Sequence, residues 1–179
     1  MNPRNVTLKP FPGEAPRFPL TITGAIARHG TLLTVRYELR GDRQSVVLPP
    51  PADRPARRDE LWRETCLELF LAPENVPHYW EVNLSPAGHW NVYGFRAYRQ
   101  GLHEEPALTA LPFTVTREPA ALSLALELDM TGLIFPDQAL ELAIAAVIQA
   151  VDGSLTYWAL AHPGSRPDFH RRDAFVITL

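Results

Sequence analysis

The chain has 179 residues, of which 46% are hydrophobic and 21% are charged. This composition is ordinary for one globular domain, and it excludes a mainly disordered chain, a collagen-like chain and a coiled coil. With 17 Lys and Arg against 20 Asp and Glu, the formal net charge is -3. That balance disfavours nucleic acid as a partner, because domains that hold phosphates are usually basic.

Cys66 is the only cysteine, so neither an intrachain disulfide nor a cluster of thiolate metal ligands can form. The first twenty residues contain several prolines and lack the apolar segment of a signal peptide. No stretch approaches the roughly 18 apolar residues that a membrane helix needs. We therefore expect a cytoplasmic protein without a membrane partner, and the sequence does not indicate an oligomeric state.

Proline is unusually frequent, with 18 residues, and its clusters mark loops and sheet edges because proline cannot donate a backbone hydrogen bond. Between these clusters lie short segments that alternate polar and apolar residues or are wholly apolar. In chain order, the predicted strands are 20–26, 33–39, 45–48, 65–72, 79–84, 90–98, 111–116, 122–128, 140–150, 155–160 and 174–179. A single helical turn is predicted over 59–64.

The segment 140–150 is rich in Ala and Leu, which favour helices, but its apolar length between neighbouring strands favours a buried central strand. About ten antiparallel strands separated by turns predict an all-β fold, a β-sandwich of the jelly-roll type. Residues 20–179 are expected to form this single domain. Residues 1–19 are expected to form an extended N-terminal arm with room for one edge strand.

Two predicted strands, 65–72 and 79–84, place their side chains alternately on two faces. The three leucines of the first strand face the core, so Glu68 lies on the other face. The Trp, Val and Leu of the second strand face the core, so Glu81 and Asn83 lie on the other face. If the strands pair, these polar groups meet beside aromatic rings. That combination suits a sugar, whose hydroxyls need acceptors and donors and whose C–H faces stack on rings.

Each candidate residue also has a plainer interpretation. Glu68 is equally explained as a solvated strand residue or as the partner of an arginine, because a buried and unpaired carboxylate is costly. Glu81 fits a structural or surface carboxylate, and Asn83 fits a residue that shapes the following turn. Trp62, just before a strand, suits either a lid over the core or an exposed platform.

The polar loop after the predicted strand 155–160 contains His162, Asp168 and His170, whose side chains are of types that bind metal ions. Their spacing matches no zinc pattern, so no metal site is predicted. Asp168 also suits hydrogen bonds to backbone amides of its own loop, and we prefer that interpretation.

Three stretches carry a recognisable pattern: WRETCLELFL at 62–71, YWEVNLSPAGHW at 79–90, and the closing segment 157–175 with its YWAL and PDFH sequences. Together they resemble the DOMON-like superfamily and, within it, the family-nine carbohydrate-binding modules and their uncharacterised bacterial relatives. The resemblance spans about residues 20–179. It implies a β-sandwich that binds a sugar or haem.

In the sugar-binding modules a platform tryptophan stands six residues before a glutamate that holds sugar hydroxyls, and Trp62 and Glu68 match that spacing. The family pattern continues with an arginine and an asparagine separated by one residue. Asn83 matches the asparagine, but Glu81 stands at the arginine position, so an acceptor replaces a donor. The resemblance thus implies that Trp62, Glu68 and Asn83 project together into solvent as a binding site that includes Glu81.

A second tryptophan platform is expected near the C-terminus, where this chain has Phe169 and His170 instead. The resemblance therefore implies that one of these two rings closes the opposite side of the ligand. The calcium sites of the family cannot be placed on residues of this chain. The ligand implied is a small saccharide or a polyol, bound without catalysis.

Two other functions stay open. A haem-binding domain needs axial His or Met ligands, for which His162 and His170 are candidates and Met130 is the only internal methionine. A glycoside hydrolase, which we favour less, would use Glu68 and Glu81 as acid and base. No cofactor is predicted, because haem and calcium are compatible with the family but no motif here specifies either one.

Overall fold

The structure is a computed structural model that describes residues 2–179. These residues form thirteen β-strands and three short 3-10 helices. The strands are β1 Arg4–Thr7, β2 Lys9–Pro10, β3 Leu20–His29, β4 Leu32–Gly41, β5 Cys66–Pro73, β6 Tyr79–Leu84, β7 Trp90–Phe95, β8 His103–Glu104, β9 Phe113–Arg117, β10 Ala121–Asp129, β11 Leu140–Gln149, β12 Leu155–Ala159 and β13 Ile177–Thr178. The 3-10 helices are Arg43–Ser45, Leu61–Arg63 and Arg172–Ala174. No helix within the described range is long and apolar enough to cross a bilayer.

The strands form two antiparallel sheets whose apolar inner faces pack together. One sheet has the order β1-β3-β4-β10-β9, and the other has the order β2-β12-β11-β5-β6-β7-β8 with β13 added beside β11. Buried side chains of both sheets make one core, as in other sandwiches. Tyr37 on β4 crosses that core and donates to the backbone carbonyl of Glu68 on β5 at 2.6 Å. The predicted β-sandwich is confirmed, with more strands than expected.

The residues of β5 and β11 show why the sequence folds this way. Leu67, Leu69 and Leu71 alternate into the main core, as period two predicts. The segment Leu140–Gln149 is a strand, not a helix, and it is buried on both faces between β5 and β12. Strand is favoured there because tertiary burial outweighs the helix propensity of Ala and Leu.

The outer face of the larger sheet is covered by the C-terminal segment 161–176, called here the covering segment. Phe169 and Phe175 of this segment pack on Phe70 of β5, with ring centroids 6.3 and 6.0 Å apart. They belong to a second apolar cluster, which also contains Tyr79 of β6. The covering segment therefore closes over part of the face of β5 and β6 that carries polar side chains.

Two predicted strands depart most from the structure. The segment 45–48 contains no strand, because Asp42 accepts a hydrogen bond from the backbone N–H of Gln44 and starts the 3-10 helix Arg43–Ser45. The predicted strand 174–179 is reduced to Ile177–Thr178. Phe175 packs in the outer cluster and Ile177 in the main core, which a continuous strand forbids because residues two apart share a face.

The N-terminal residues join both sheets. β1 pairs with β3, and β2 pairs with β12. Leu8, between these two strands, is buried in the main core. The helical turn expected over 59–64 is present as the 3-10 helix Leu61–Arg63, which leads into β5.

Candidate functional site

Five neighbouring strands present a staggered row of side chains on the outer face of the larger sheet. The register pairs Tyr157 of β12 with Val147 of β11, and Glu81 of β6 with Tyr93 of β7. On β5, the strand between β11 and β6, Val147 faces Cys66 and Glu81 faces Phe70, and Glu68 lies two residues from each of these partners. The row therefore has two carboxyl groups near its centre and an aromatic ring towards each end.

A cavity of about 550 Å³ opens over this row, a size typical of small-molecule sites. We call it the outer cavity. It is lined by Trp62, Arg63, Glu68, Glu81, Tyr93, Phe95, Arg99, Leu102, Val147, Leu155, Tyr157, Pro167, Asp168, Phe169 and His170. Five of the six residues that the sequence proposed as a site are in this lining.

The two carboxyl groups form the floor of the outer cavity. Glu68 is only 3% exposed and Glu81 only 5% exposed. The Oε1 atom of Glu68 has no hydrogen-bond partner within the structure. Among the ion pairs of residues 2–179, none joins an Arg or Lys to either carboxyl group. Glu68 is therefore neither solvated nor paired with an arginine, the two plain alternatives that the sequence left open.

Burial has a large effect on the protonation of this floor. Desolvation, followed by the charge of Glu81, raises the pKa of Glu68 well above its usual range. Desolvation likewise raises the pKa of Glu81 to about 7, although a hydrogen bond from Asn83 and the charge of Arg99 act in the opposite direction. Near neutral pH the floor therefore holds protons that exposed carboxylates would have released.

Asn83 lies beneath the floor. Its side chain is fully buried and does not line the outer cavity. Its Nδ2 atom donates to Oε1 of Glu81 at 2.7 Å, and its Oδ1 atom accepts from the thiol of Cys66 at 3.7 Å. The expectation that Asn83 projects into solvent with Trp62 and Glu68 is wrong, because Asn83 lies on the same face but is covered by its neighbours.

His170 faces the floor from the covering segment. Its Nδ1 atom lies 2.9 Å from the hydroxyl of Tyr79, which also accepts the backbone N–H of Arg99 at 3.1 Å. Because the Tyr79 hydroxyl already accepts the N–H of Arg99, its proton is free to be donated to Nδ1 of His170, and we assign that tautomer. The protonated Nε2 then faces Oε2 of Glu81 across 3.8 Å. Burial and the charge of Arg99 lower the pKa of His170 to about 4, against the effect of Asp168, so the ring is neutral.

Arg99 and Asp168 were not among the site residues proposed from the sequence. Arg99, in the loop after β7, donates to Oδ1 of Asp168 at 2.8 Å, and Tyr98 donates to the other oxygen. Asp168 also accepts the backbone N–H of His170 at 3.2 Å, the contact within its own loop that the sequence favoured. No local sequence motif predicts a role for Arg99, because only the folded structure brings its loop beside the covering segment.

Aromatic rings form the walls. Trp62 is 36% exposed at the mouth and meets Tyr93 edge-on, with ring centroids 5.8 Å apart. Phe169 lies towards the other end of the row, where its ring is 6.2 Å from that of Tyr157. The outer cavity thus has a partly exposed tryptophan platform on one side and a phenylalanine of the covering segment on the other.

The candidate metal and haem ligands do not assemble. Within residues 2–179 no group of three or more His, Cys, Asp or Glu side chains is placed to hold a metal ion. Met130 is buried in the main core, and the Nε2 of His162 donates to the carbonyl of Lys9 at 2.9 Å. Of the three candidate axial ligands, only His170 reaches the outer cavity.

Known proteins share the fold of this chain. Neither a family model nor a curated protein matches the sequence. Among solved structures, a proposed carbohydrate-binding protein from Bacteroides uniformis matches with a TM-score of 0.65 and 14% identity, over 93% of this chain and 83% of that one. A family 9 carbohydrate-binding module from Caldicellulosiruptor kristjanssonii, in complex with glucose, matches with a TM-score of 0.50 and 9% identity, over 82% and 69%.

These identities are low, so the matches show similarity of fold. The resemblance to family-nine carbohydrate-binding modules that the sequence predicted is confirmed at that level. The broader resemblance to the DOMON-like superfamily stays a prediction.

Proposed function

We propose that the protein binds a small saccharide in the outer cavity. The observation that carries the proposal is the row across five strands, in which buried carboxyl groups lie between aromatic walls. Sugars need this pairing, because their hydroxyls form hydrogen bonds while their C–H faces pack on rings. The two structural neighbours, one crystallised with glucose and one a proposed carbohydrate binder, support the proposal.

Each lining residue has a distinct role in this proposal. Trp62 stacks against one face of the sugar ring, and Phe169 closes the other side. Glu68 and Glu81 accept hydrogen bonds from hydroxyls. Arg99 supplies the donor that the family pattern places on β6, where this chain has Glu81 instead.

Asn83 acts as a positioning residue in this proposal. Its amide holds Oε1 of Glu81 at 2.7 Å, which leaves Oε2 to face the cavity beside His170. The role differs from the direct contact with sugar hydroxyls that the sequence suggested for this residue.

Calorimetric titration with monosaccharides and short oligosaccharides, preceded by a glycan array, tests the proposal. Saccharide binding is expected in wild type, with a loss of about tenfold or more in Trp62→Ala, because the stacking surface is removed. Phe135→Ala is the matched control, since Phe135 is 75% exposed and does not line the outer cavity. Absence of binding at millimolar saccharide, or equal loss in both variants, would contradict the proposal.

Glycoside hydrolysis is the second candidate, and the raised pKa values of Glu68 and Glu81 favour it, since a general acid needs such a value. The geometry is less favourable. Both carboxyl groups rise from one floor, on neighbouring strands, whereas glycosidases place two carboxyl groups on either side of the scissile bond. Release of reducing sugar by wild type but not by Glu68→Gln would establish hydrolysis; binding without turnover supports the first proposal.

A further inference from the structure

The floor of the outer cavity lacks a cation. Glu68 presents an oxygen without a partner, and Glu81 has a neutral imidazole, His170, as its nearest basic neighbour. Burying carboxylates without an opposite charge is costly, and the protein meets that cost by keeping protons on the floor. A ligand that brings its own positive charge would replace those protons.

The charge of each arginine in the lining is already balanced by a carboxylate of this chain. Arg99 donates to Asp168 at 2.8 Å, and Arg63 pairs with Glu60 at 2.7 Å on the exposed side of the 3-10 helix. Neither forms an ion pair with the floor. The charge of Arg99 lowers the pKa of Glu68 and of Glu81, but desolvation raises both pKa values by more. A positive charge paired directly with the two carboxyl groups would therefore come from a ligand.

The walls favour the same kind of ligand. Trp62 and Tyr93 stand on one side, and Tyr157 and Phe169 on the other. Aromatic faces attract ammonium groups by cation–π interaction as well as packing on sugar C–H groups. A metal ion is a poorer fit, because only two carboxyl groups converge and no third ligand of the described residues joins them.

We infer that the outer cavity selects an amino sugar in its cationic form, with the ammonium group placed between Glu68 and Glu81. The inference rests on the proposed function and adds to it the class of saccharide. A neutral sugar can use the protonated floor only through ordinary hydrogen bonds. An ammonium group forms charge-assisted hydrogen bonds to both carboxylates, which are about twice as strong as neutral ones.

Proton release on binding would report contact between the ammonium group and the two carboxyl groups. When the cationic sugar enters at about pH 6, each of the two carboxyl groups loses its proton to the buffer, and two carboxylates then face one ammonium group. The polar groups around this floor come from four parts of the fold. Cys66 and Glu68 lie on β5, Tyr79, Glu81 and Asn83 on β6, Arg99 on the loop after β7, and Asp168 and His170 on the covering segment. Among them, the two carboxyl groups are the ones whose protons the ammonium group would displace.

Calorimetry with three matched sugars tests the inference. Wild type is titrated with D-glucose, D-glucosamine and N-acetyl-D-glucosamine at about pH 6, where an alkyl ammonium is charged. Each titration is repeated in two buffers of different ionisation enthalpy. We expect glucosamine to bind at least about tenfold more tightly than the two neutral sugars. We also expect proton release with glucosamine alone.

Variants locate the contact. Glu68→Gln and Glu81→Gln are expected to remove the preference for glucosamine, whereas Glu127→Gln, on the exposed face of β10, leaves it unchanged. A neutral sugar that binds as tightly as glucosamine overturns this inference and leaves saccharide binding intact. Failure of all three sugars, with glycan-array binding also absent, overturns both. Because the comparison of sugars uses wild type, a variant that fails to fold does not weaken the test.

Discussion

The side chain of Asn83 holds the carboxyl group of Glu81 in place from two residues along the same strand, with Nδ2 donating to Oε1 at 2.7 Å. Both side chains are buried, and the amide is itself held by the thiol of Cys66. Asn83 thus links the floor of the outer cavity to the sheet beneath it. The family pattern implies that Asn83 contacts sugar hydroxyls. In this chain Asn83 instead holds Glu81, the residue that would contact them.

The first prediction concerns this bond. Asn83→Ala removes the donor and leaves a buried carboxyl oxygen unsatisfied, so the free energy of unfolding should fall by about 1–3 kcal/mol. Urea denaturation at neutral pH measures the change. Asn5→Ala, at an exposed position on β1, is the control and should change stability by less than about 0.5 kcal/mol. Equal losses in the two variants would show that the bond contributes nothing.

The second prediction is a pH dependence of stability. The pKa of Glu81 is raised to about 7 from its ordinary value of 4.5, so folding favours its protonated form. Its contribution to stability is fully present below about pH 4.5 and is lost as the pH rises through about 7, a change of about 3 kcal/mol. Glu81→Gln should therefore be more stable than wild type at pH 8. Replacing a binding residue that destabilises the fold commonly has this effect.

The measurement for Glu81 is the difference in free energy of unfolding between wild type and Glu81→Gln across that pH range. A difference is required because His170 acts oppositely: its pKa is lowered to about 4, so its contribution is lost as the pH falls below about 6.5. The difference should change by about 3 kcal/mol in favour of the variant as the pH rises. A difference that does not vary with pH would refute the raised pKa.

The third prediction concerns the tautomer of His170. Tyr79 donates to Nδ1 in our assignment, so nitrogen NMR shifts of the imidazole should report protonation at Nε2 and no titration until about pH 4. Tyr79→Phe keeps the ring stacked 4.7 Å from Phe95 but removes the hydroxyl, and the tautomer preference should weaken. An Nδ1-protonated ring in wild type would contradict the assignment.

The fourth prediction concerns the link across the mouth of the outer cavity. Asp168 accepts hydrogen bonds from Tyr98 and Arg99 and so joins the loop after β7 to the covering segment. Asp168→Asn should speed hydrogen exchange at 96–102 and at 161–171, with a stability loss of about 1 kcal/mol or less. Asp173→Asn, which breaks only a surface pair with Arg171, is the control. Unchanged exchange in Asp168→Asn, or equal changes in both variants, would argue against the link.

Strand alternation was sufficient to predict which residues share the outer face. Period two separated the leucines of β5 from Glu68, and it placed Glu81 and Asn83 on that same side. Alternation carries no information about what covers a face. Asn83 was therefore expected at the surface, whereas its side chain is buried and bonded to Glu81 and Cys66.

Arg99 and Asp168 show the other limit of sequence reasoning. Both lie in loops, 69 residues apart, and their meeting depends on the order of strands in the sheet. Loop residues have no periodicity from which a direction can be read. The same reason explains the C-terminal segment, where an apolar stretch looked like one strand but crosses from the outer cluster to the main core.

The most direct test of saccharide binding is a crystal structure of the protein grown or soaked with glucose and, separately, with glucosamine. The account predicts a sugar in the outer cavity, stacked on Trp62, with polar atoms within hydrogen-bond distance of Glu68 and Glu81. Sugar density elsewhere on the molecule, or an outer cavity filled only by solvent at saturating sugar, would contradict it.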